Sequence, residues 1–160
     1  SLKAEAARLR EENERLGKRN RKLEKELDEQ RQGMGIDAAR GEIERLLESG
    51  EIEVGQIDLI SQLPVEMRHK SLRILVDQIR SKEEKAVIFL CDQLGNCVVS
   101  CSEEAQRLGL RANELMAWAT DRAGGSGGGR LDLAQGQLKE FSNFLDIKRY
   151  LEERIRERVK

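Results

Sequence analysis

The sequence has few aromatic residues and no long apolar run, and both absences limit what the chain can be. Aromatic residues make up 3% of its 160 residues. No stretch approaches the roughly 20 consecutive apolar residues that a membrane-spanning helix needs. The N-terminus also lacks the short apolar core of a secretory signal. We therefore expect an intracellular protein with no part in a membrane, cytoplasmic or, as the alternative, in an organelle.

A single histidine, His69, and three cysteines argue against metal and redox chemistry. Cys91, Cys97 and Cys101 lie in one apolar stretch, without the C-x2-C pair or nearby histidines of a zinc site. Free cysteine packs as a small apolar residue. We expect three reduced core thiols, no metal ion and no cofactor.

An excess of charge of one sign is also missing, because 29 basic and 30 acidic residues give a net charge of −1. A typical duplex-binding protein is basic as a whole, so any nucleic-acid contact here must come from a local arrangement of charges. Charged residues nevertheless make up 37% of the chain, as expected when a solvated helix is joined to a globular part.

The pattern of residues 1–32 predicts that this segment is the solvated helix, and that it forms a homodimer as a coiled coil. Leucine recurs every seven residues, and two asparagines at a positions can hydrogen-bond to their twins across a parallel interface. Parallel strands also bring Glu5 to Arg10 and Arg19 to Glu24, whereas antiparallel strands bring Glu5 near Glu26. The residues expected to form the dimer are Leu2, Leu9, Asn13, Leu16, Asn20, Leu23 and Leu27.

Glycines weaken the predicted coiled coil at one position and are expected to end it at another. Gly17 lies inside the zipper, and a short zipper is weak, so a single solvated helix or one folded back on its own domain is the alternative. Gly33-Met34-Gly35 removes helical preference. We therefore expect residues 33–50 to be a hinge and a short helix, with Asp37 as its N-cap and Gly50 as its stop.

Residues 51–160 predict a small α/β or α+β domain, because strand-like and helix-like apolar periods follow one another. The expected elements are a strand from Glu51 towards Pro64 with a bulge at Gly55, a helix that begins at Pro64, a hairpin over 86–101, a turn capped by Ser102, a helix over 111–122 and a helix over 138–160. In the last two helices, Leu115, Met116, Trp118 and Ala119, and then Phe141, Phe144, Leu145, Ile147 and Leu151, form the expected packed faces.

The least ordinary segment runs from Gly124 to Arg130 and contains five glycines besides Ser126 and Arg130. Glycine and serine are typical of a flexible linker. Glycines followed by an arginine also let backbone N–H groups and a guanidinium approach a phosphate or sugar. No Lys-Ser or Lys-Thr ends the tract, and it follows a predicted helix, so neither a Walker A loop nor a dinucleotide fingerprint fits. From the residues alone, linker and binding site both stay open.

The stretch from Gly124 to Gln135, GGSGGGRLDLAQ, resembles the signature GGxGGGRPDMAQ of alanyl-tRNA synthetases. Leu131 and Leu133 stand where that family has proline and methionine. The helix with Val76 to Arg80, the apolar hairpin and the stretch from Gly109 to Leu115 agree in order. Together they resemble the DHHA1 domain over roughly residues 50 to 155, and we assign residues 51–160 to this domain. The resemblance implies a small mixed sheet, and the preceding helix is similar to the synthetase's coil.

The resemblance implies a non-catalytic module that promotes dimerisation and binds the elbow of tRNA, in particular tRNA-Ala, so that one tRNA reaches the aminoacylation and editing sites. No residues match either active site, so we expect no enzymatic activity in this chain and an alanine–tRNA ligase as its parent. The alternatives are the RNA-binding DHHA1 domain of a DHH-type phosphoesterase and a purely structural dimeriser. The expected RNA-binding residues are Gly124, Gly125, Gly127, Gly128, Gly129, Arg130, Asp132 and Gln135, with Lys148 and Arg149 added from the basic last helix, whose charges are otherwise a solvated face.

Overall fold

The computed structural model describes residues 1–49, 58–82 and 87–159. By their contacts, Ser1–Met34 form one unit and Gly35–Lys160 a second. The elements in chain order are α1 Leu2–Ser49, β1 Asp58–Gln62, α2 His69–Lys82, β2 Val87–Cys91, β3 Asn96–Cys101, α3 Glu103–Arg107, α4 Ala112–Ala123, β4 Gly125–Gly129, β5 Leu133–Leu138 and α5 Phe144–Val159. This confirms the predicted fold class, a long helix followed by a small domain of mixed α and β structure.

The first helix is longer than expected, because α1 continues through Gly33 and Gly35. The predicted hinge and the separate short helix capped by Asp37 are therefore wrong as secondary structure, and Gly50 lies outside the described residues. A glycine costs a helix about 1 kcal/mol relative to alanine, which tertiary contacts can offset. Ala39 and Ile43, which belong to the second unit, are buried in its core. In the same unit, the Arg40 guanidinium donates to the side-chain oxygen of Gln78.

The described strands form one mixed sheet in the order β1-β2-β3-β5-β4. β1 is parallel to β2, and the other neighbours are antiparallel. All residues of β2 are buried, because Ile88 and Leu90 pack with α2 while Val87 and Phe89 pack with α4 and α5. Helices on both faces of the sheet explain why this strand is a continuous apolar run in the sequence.

The predicted hairpin and the helix over 111–122 are confirmed as β2–β3 and α4, with the indole of Trp118 buried in the core. Ser102 caps α3 as expected, since its Oγ accepts the N–H of Ala105 at 3.1 Å. Of the predicted first strand, Asp58–Gln62 form β1; the part before Asp58, with the predicted bulge at Gly55, lies outside the described residues.

Two predicted helix starts are wrong. α2 begins at His69 instead of Pro64, because the N–H groups of Leu63 and Met67 bond to Cys91 O at 2.7 Å and Asp92 Oδ2 at 2.8 Å. Those bonds hold the segment after Pro64 against the end of β2. α5 begins at Phe144, because Leu138 is the last residue of β5. Leu145, predicted to pack, is exposed.

Asp92 organises the turn between β2 and β3 as a fully buried carboxylate. It accepts the backbone N–H groups of Met67, Leu94 and Asn96 at 2.8, 2.9 and 2.8 Å, and the side-chain amide of Asn96 at 3.0 Å. A buried polar group of this kind stabilises only while its partners remain.

We expect Asp92→Ala to lower the free energy of unfolding by about 3 kcal/mol, since several buried donors would lose their acceptor. Urea unfolding of the full chain measures the loss. Asp121→Ala, which removes an exposed carboxylate from α4, is the control and should change stability by less than about 0.5 kcal/mol. Equal stability of the two variants would contradict the proposed role of the Asp92 carboxylate.

Candidate nucleic-acid interface

The glycine tract is a β-strand. β4 pairs antiparallel with β5, and no described strand pairs with its other edge. All five residues of β4 are exposed. The flexible-linker interpretation is therefore wrong, and the tract is an ordered strand at the edge of the sheet.

Three glycines of β4 are required by the fold. Gly125 has a φ of 107°, which L side chains rarely adopt. A Cβ at Gly127 would lie 2.8 Å from Met116 Cγ on α4, and a Cβ at Gly129 would lie 2.5 Å from the Cα of Ala134. These glycines let the strand lie directly against α4 and β5.

Gly128 is different, because a Cβ at this position would meet nothing within 4 Å and its φ is not in the left-handed region. It pairs with Gln135, which is also exposed. Side chains alternate along a strand, so Ser126 shares this face. The Gly128 face of the hairpin therefore presents bare backbone between polar side chains, although the fold itself does not require a glycine there.

The free edge of β4 also presents backbone hydrogen-bonding groups. At the two ends of the hairpin, Lys139 N donates to Gly124 O at 3.2 Å and Arg130 N donates to Leu133 O at 2.8 Å. Bonded and non-bonded pairs alternate in an antiparallel ladder, so Gly125, Gly127 and Gly129 direct their N–H and C=O groups away from β5. Such groups are able to bind phosphate or sugar oxygens.

The turn between β4 and β5 holds Arg130 and Asp132 at its tip. The N–H groups of Ala112 and Asn113 donate to the carbonyls of Leu131 and Arg130 at 2.9 and 3.1 Å, which fixes the turn without a proline at position 131. The guanidinium of Arg130 lies 3.4 Å from the Asp132 carboxylate, and the Arg130 side chain is 76% exposed. A cation on a rigid base therefore projects from the end of the hairpin.

The family model described as the DHHA1 domain matches residues 58–157 of this chain. The chain belongs to the DHHA1 domain family. The match begins at β1 and ends within α5, so it includes the five described strands and with them the β4–β5 hairpin of this DHHA1 domain.

Curated relatives of this chain include alanine–tRNA ligases. That of Magnetococcus marinus is 36% identical over 138 residues, covering 84% of this chain and 15% of the ligase. That of Mycolicibacterium smegmatis is 37% identical over 131 residues, covering 78% and 14%. The chain thus spans about 15% of the length of these relatives.

One solved structure supports the same family, and a second shares the fold. The C-Ala domain of Aquifex aeolicus alanyl-tRNA synthetase has a TM-score of 0.56 and 30% identity, over 64% of this chain and 94% of that domain. RecJ from Thermus thermophilus, solved with Mn²⁺, has a TM-score of 0.58 and 19% identity, over 79% of this chain and 17% of RecJ, and this likeness shows the fold alone. The predicted resemblance to alanyl-tRNA synthetase is confirmed.

The structure brings most of the predicted RNA-binding residues together and separates two of them. Gly124 to Arg130, Asp132 and Gln135 all lie in or beside the β4–β5 hairpin. Lys148 instead lies on α5 and lines an open cavity beside β1, at the opposite edge of the sheet, with Nζ 4.0 Å from Glu152. Arg149 is exposed on the same helix.

Two residues, one in the hairpin and one beside it, were not predicted as part of the site. Gly136 is buried in β5, where it pairs with Gly127, and a Cβ at Gly136 would lie 2.8 Å from Met116 Sδ. Its carbonyl oxygen lies 2.7 Å from Nε2 of His69, within hydrogen-bonding distance. The paired glycines in neighbouring strands were the available signal for Gly136, whereas nothing in the sequence connects His69 to it.

The three cysteines are free and buried, as predicted. Burial raises the pKa of the Cys91 and Cys101 thiols to about 12, so both are protonated at neutral pH and are poor nucleophiles and metal ligands. Within the described ranges, no group of three or more His, Cys, Asp and Glu side chains could hold a metal ion. Over the same residues, no helix has the length and apolar character to cross a membrane.

In the unit of residues 1–34, the leucines predicted to form a dimer are exposed in the single chain, from 46% for Leu16 to 85% for Leu2. Asn13 and Asn20 are exposed as well. A regular row of exposed leucines on a charged helix is typical of a surface that binds a partner helix.

Proposed function

We propose that this chain is a non-catalytic module of an alanine–tRNA ligase that binds the elbow of tRNA through the β4–β5 hairpin and dimerises through residues 1–32. The observation that supports RNA binding is the presence of a glycine at position 128, in an exposed strand position. Glycine is unfavourable in a strand, and here neither packing nor backbone conformation requires it. A surface without a side chain, flanked by Gln135 and Arg130, is what close approach of an RNA backbone needs.

The charge of the chain supports recognition by shape over recognition by a broad basic surface. Net charge is −1, and Arg130 is the cation at the tip of the hairpin. A folded RNA corner can be bound through a few phosphate, sugar and stacked-base contacts. We therefore expect weak, salt-sensitive binding of tRNA with little preference for its sequence. tRNA-Ala would be among the tRNAs bound.

A homodimer would add to this affinity. Two modules held by a parallel coiled coil present two hairpins, and the second contact would then form at a raised effective concentration if the spacing suits. In the parent ligase, such an arrangement would hold one tRNA for both aminoacylation and editing. We place this activity in the cytoplasm, with an organelle as the alternative.

A titration of the full chain with three RNAs tests the proposal. The RNAs are tRNA-Ala, the same tRNA with its elbow disrupted by changes in the D and T loops, and a short single-stranded oligonucleotide. We expect tighter binding of intact tRNA. Preference for the oligonucleotide would instead support the phosphoesterase alternative, and equal, negligible binding of all three would leave the structural dimeriser.

We expect Arg130→Ala to weaken tRNA binding by roughly three- to tenfold without lowering thermal stability, because an exposed ion pair stabilises a fold by about 0–1 kcal/mol. Anisotropy titration and thermal unfolding of the same samples measure both effects. Arg156→Ala, an exposed arginine on α5 that pairs with Glu152 at 3.7 Å, is the control. A large loss of stability in Arg130→Ala would make Arg130 a structural residue.

A further inference from the structure

On the outer side of α4 and α5, three arginines and two aromatic rings alternate. Arg158 lies 5.4 Å from the ring centroid of Trp118, and Arg154 lies 5.0 Å from the same ring. Arg154 also lies 5.8 Å from the ring of Tyr150, and Arg122 lies 5.3 Å from that ring. We call this set, Arg122, Tyr150, Arg154, Trp118 and Arg158, the arginine ladder.

The two outer arginines of the ladder are neutralised within the chain. Arg122 donates two hydrogen bonds to the Asp146 carboxylate, at 2.9 and 3.0 Å. These bonds hold the pKa of the Asp146 carboxyl below its ordinary value. Arg158 donates to Glu114 at 2.8 Å and to the carbonyl of Gly109 at 3.3 Å.

The central arginine has no such partner. In the part of the chain that the structure describes, Arg154 contacts the two rings but makes no hydrogen bond or ion pair. A guanidinium contacts a ring through its flat face, so the N–H groups at its edge remain available. The indole of Trp118 is only 8% exposed, so the ring itself is not available to stack on a base.

We infer that Arg154 is a second contact of this module with RNA, in which its guanidinium edge binds a phosphate of the RNA backbone; this inference rests on the proposed function. The planar fork of arginine fits two phosphate oxygens. Contact with Trp118 and Tyr150 restricts the side chain before binding, so less conformational entropy is lost when the phosphate is bound. Arg122 and Arg158 are paired with carboxylates, whereas the guanidinium of Arg154 faces no carboxylate from the residues that the structure describes.

Salt dependence of tRNA binding tests Arg154 directly, because each phosphate neutralised by a cation contributes to the slope of log affinity against log salt. We expect Arg154→Gln to weaken binding of intact tRNA by roughly three- to tenfold at low salt and to reduce the slope by about one. Arg154→Lys retains the charge and the ring contacts, so its slope should stay near that of the original chain while affinity falls through loss of the fork. Arg156→Gln on the same helix is the control and should change neither quantity.

A structural role alone would lower the thermal unfolding temperature of Arg154→Gln and leave its slope unchanged, which would overturn the inference. Full affinity of Arg154→Lys would also count against it, since the fork would then be unused. An acceptor-stem minihelix that lacks the elbow separates the two proposals. If it binds as well as intact tRNA, elbow recognition fails, and the Arg154→Gln slope still decides the phosphate contact. If the original chain binds neither RNA, both proposals are wrong.

Discussion

Replacing Leu9 and Leu16 together with lysine is expected to convert a dimer into a folded monomer. Each leucine at a d position of a coiled coil contributes about 1.5–3 kcal/mol through burial, and four such leucines are lost per dimer. The loss of about 6 kcal/mol or more corresponds to a dissociation constant raised at least about 10⁴-fold. Sedimentation should report a mass of 18.2 kDa in place of twice that value.

The matched control places the same charges away from the leucine row. Ala4→Lys with Ala7→Lys also adds two positive charges to the helix, at positions outside a and d, and should leave the dimer intact. Thermal unfolding of the double leucine variant should still report the folded second unit. A mass that stays dimeric in this variant would place the interface outside residues 1–32.

The neighbouring glycines Gly127 and Gly128 are expected to respond in opposite ways to alanine. Gly127→Ala should lower the free energy of unfolding by about 2–3 kcal/mol, because the new methyl group would overlap Met116 and the backbone of β5. Gly128→Ala should leave stability unchanged or raise it by about 0.5 kcal/mol, since alanine reduces the entropy of the unfolded chain. It should weaken tRNA binding about tenfold, a loss of about 1.4 kcal/mol.

Urea unfolding and tRNA titration of the same two samples separate the effects. Gly128→Leu, whose side chain extends farther from the same open face, should weaken binding more than alanine does. If both Gly128 variants bind tRNA as tightly as the original chain, RNA does not approach this face of β4. A stable Gly127→Ala variant would mean that α4 can move away from the strand.

Helices and strands whose apolar residues recur at a regular spacing were predictable from the sequence. The apolar runs that became β2 and β3, the turn at Asp92 to Asn96 and the packed face of α4 all have short-range signals. Helix starts were less predictable. Pro64 suits a first helical turn, yet bonds from Leu63 and Met67 to the end of β2 hold the chain in another conformation. Those bonds join residues distant in sequence, and no local pattern reports them.

The candidate site was predictable as a set of residues and not as a surface. The signature from Gly124 to Gln135 identified the segment, whereas its conformation as a strand depends on pairing with β5 and on the close approach of Met116. Glycine has low strand propensity, so a glycine tract predicts a strand only when its neighbours are known. The same holds for the arginine ladder, because the partners of Arg154 lie on two helices.

By itself, the sequence determined the family, the zipper-like helix, the buried thiols and the order of most elements, because each depends on residue type and short-range spacing. Only the tertiary structure decided that the glycine tract is an edge strand, that Gly128 differs from its neighbours and that Arg154 lacks an acidic partner among the described residues. These are properties of groups brought together across the fold, where packing and hydrogen bonding between distant segments override local preference.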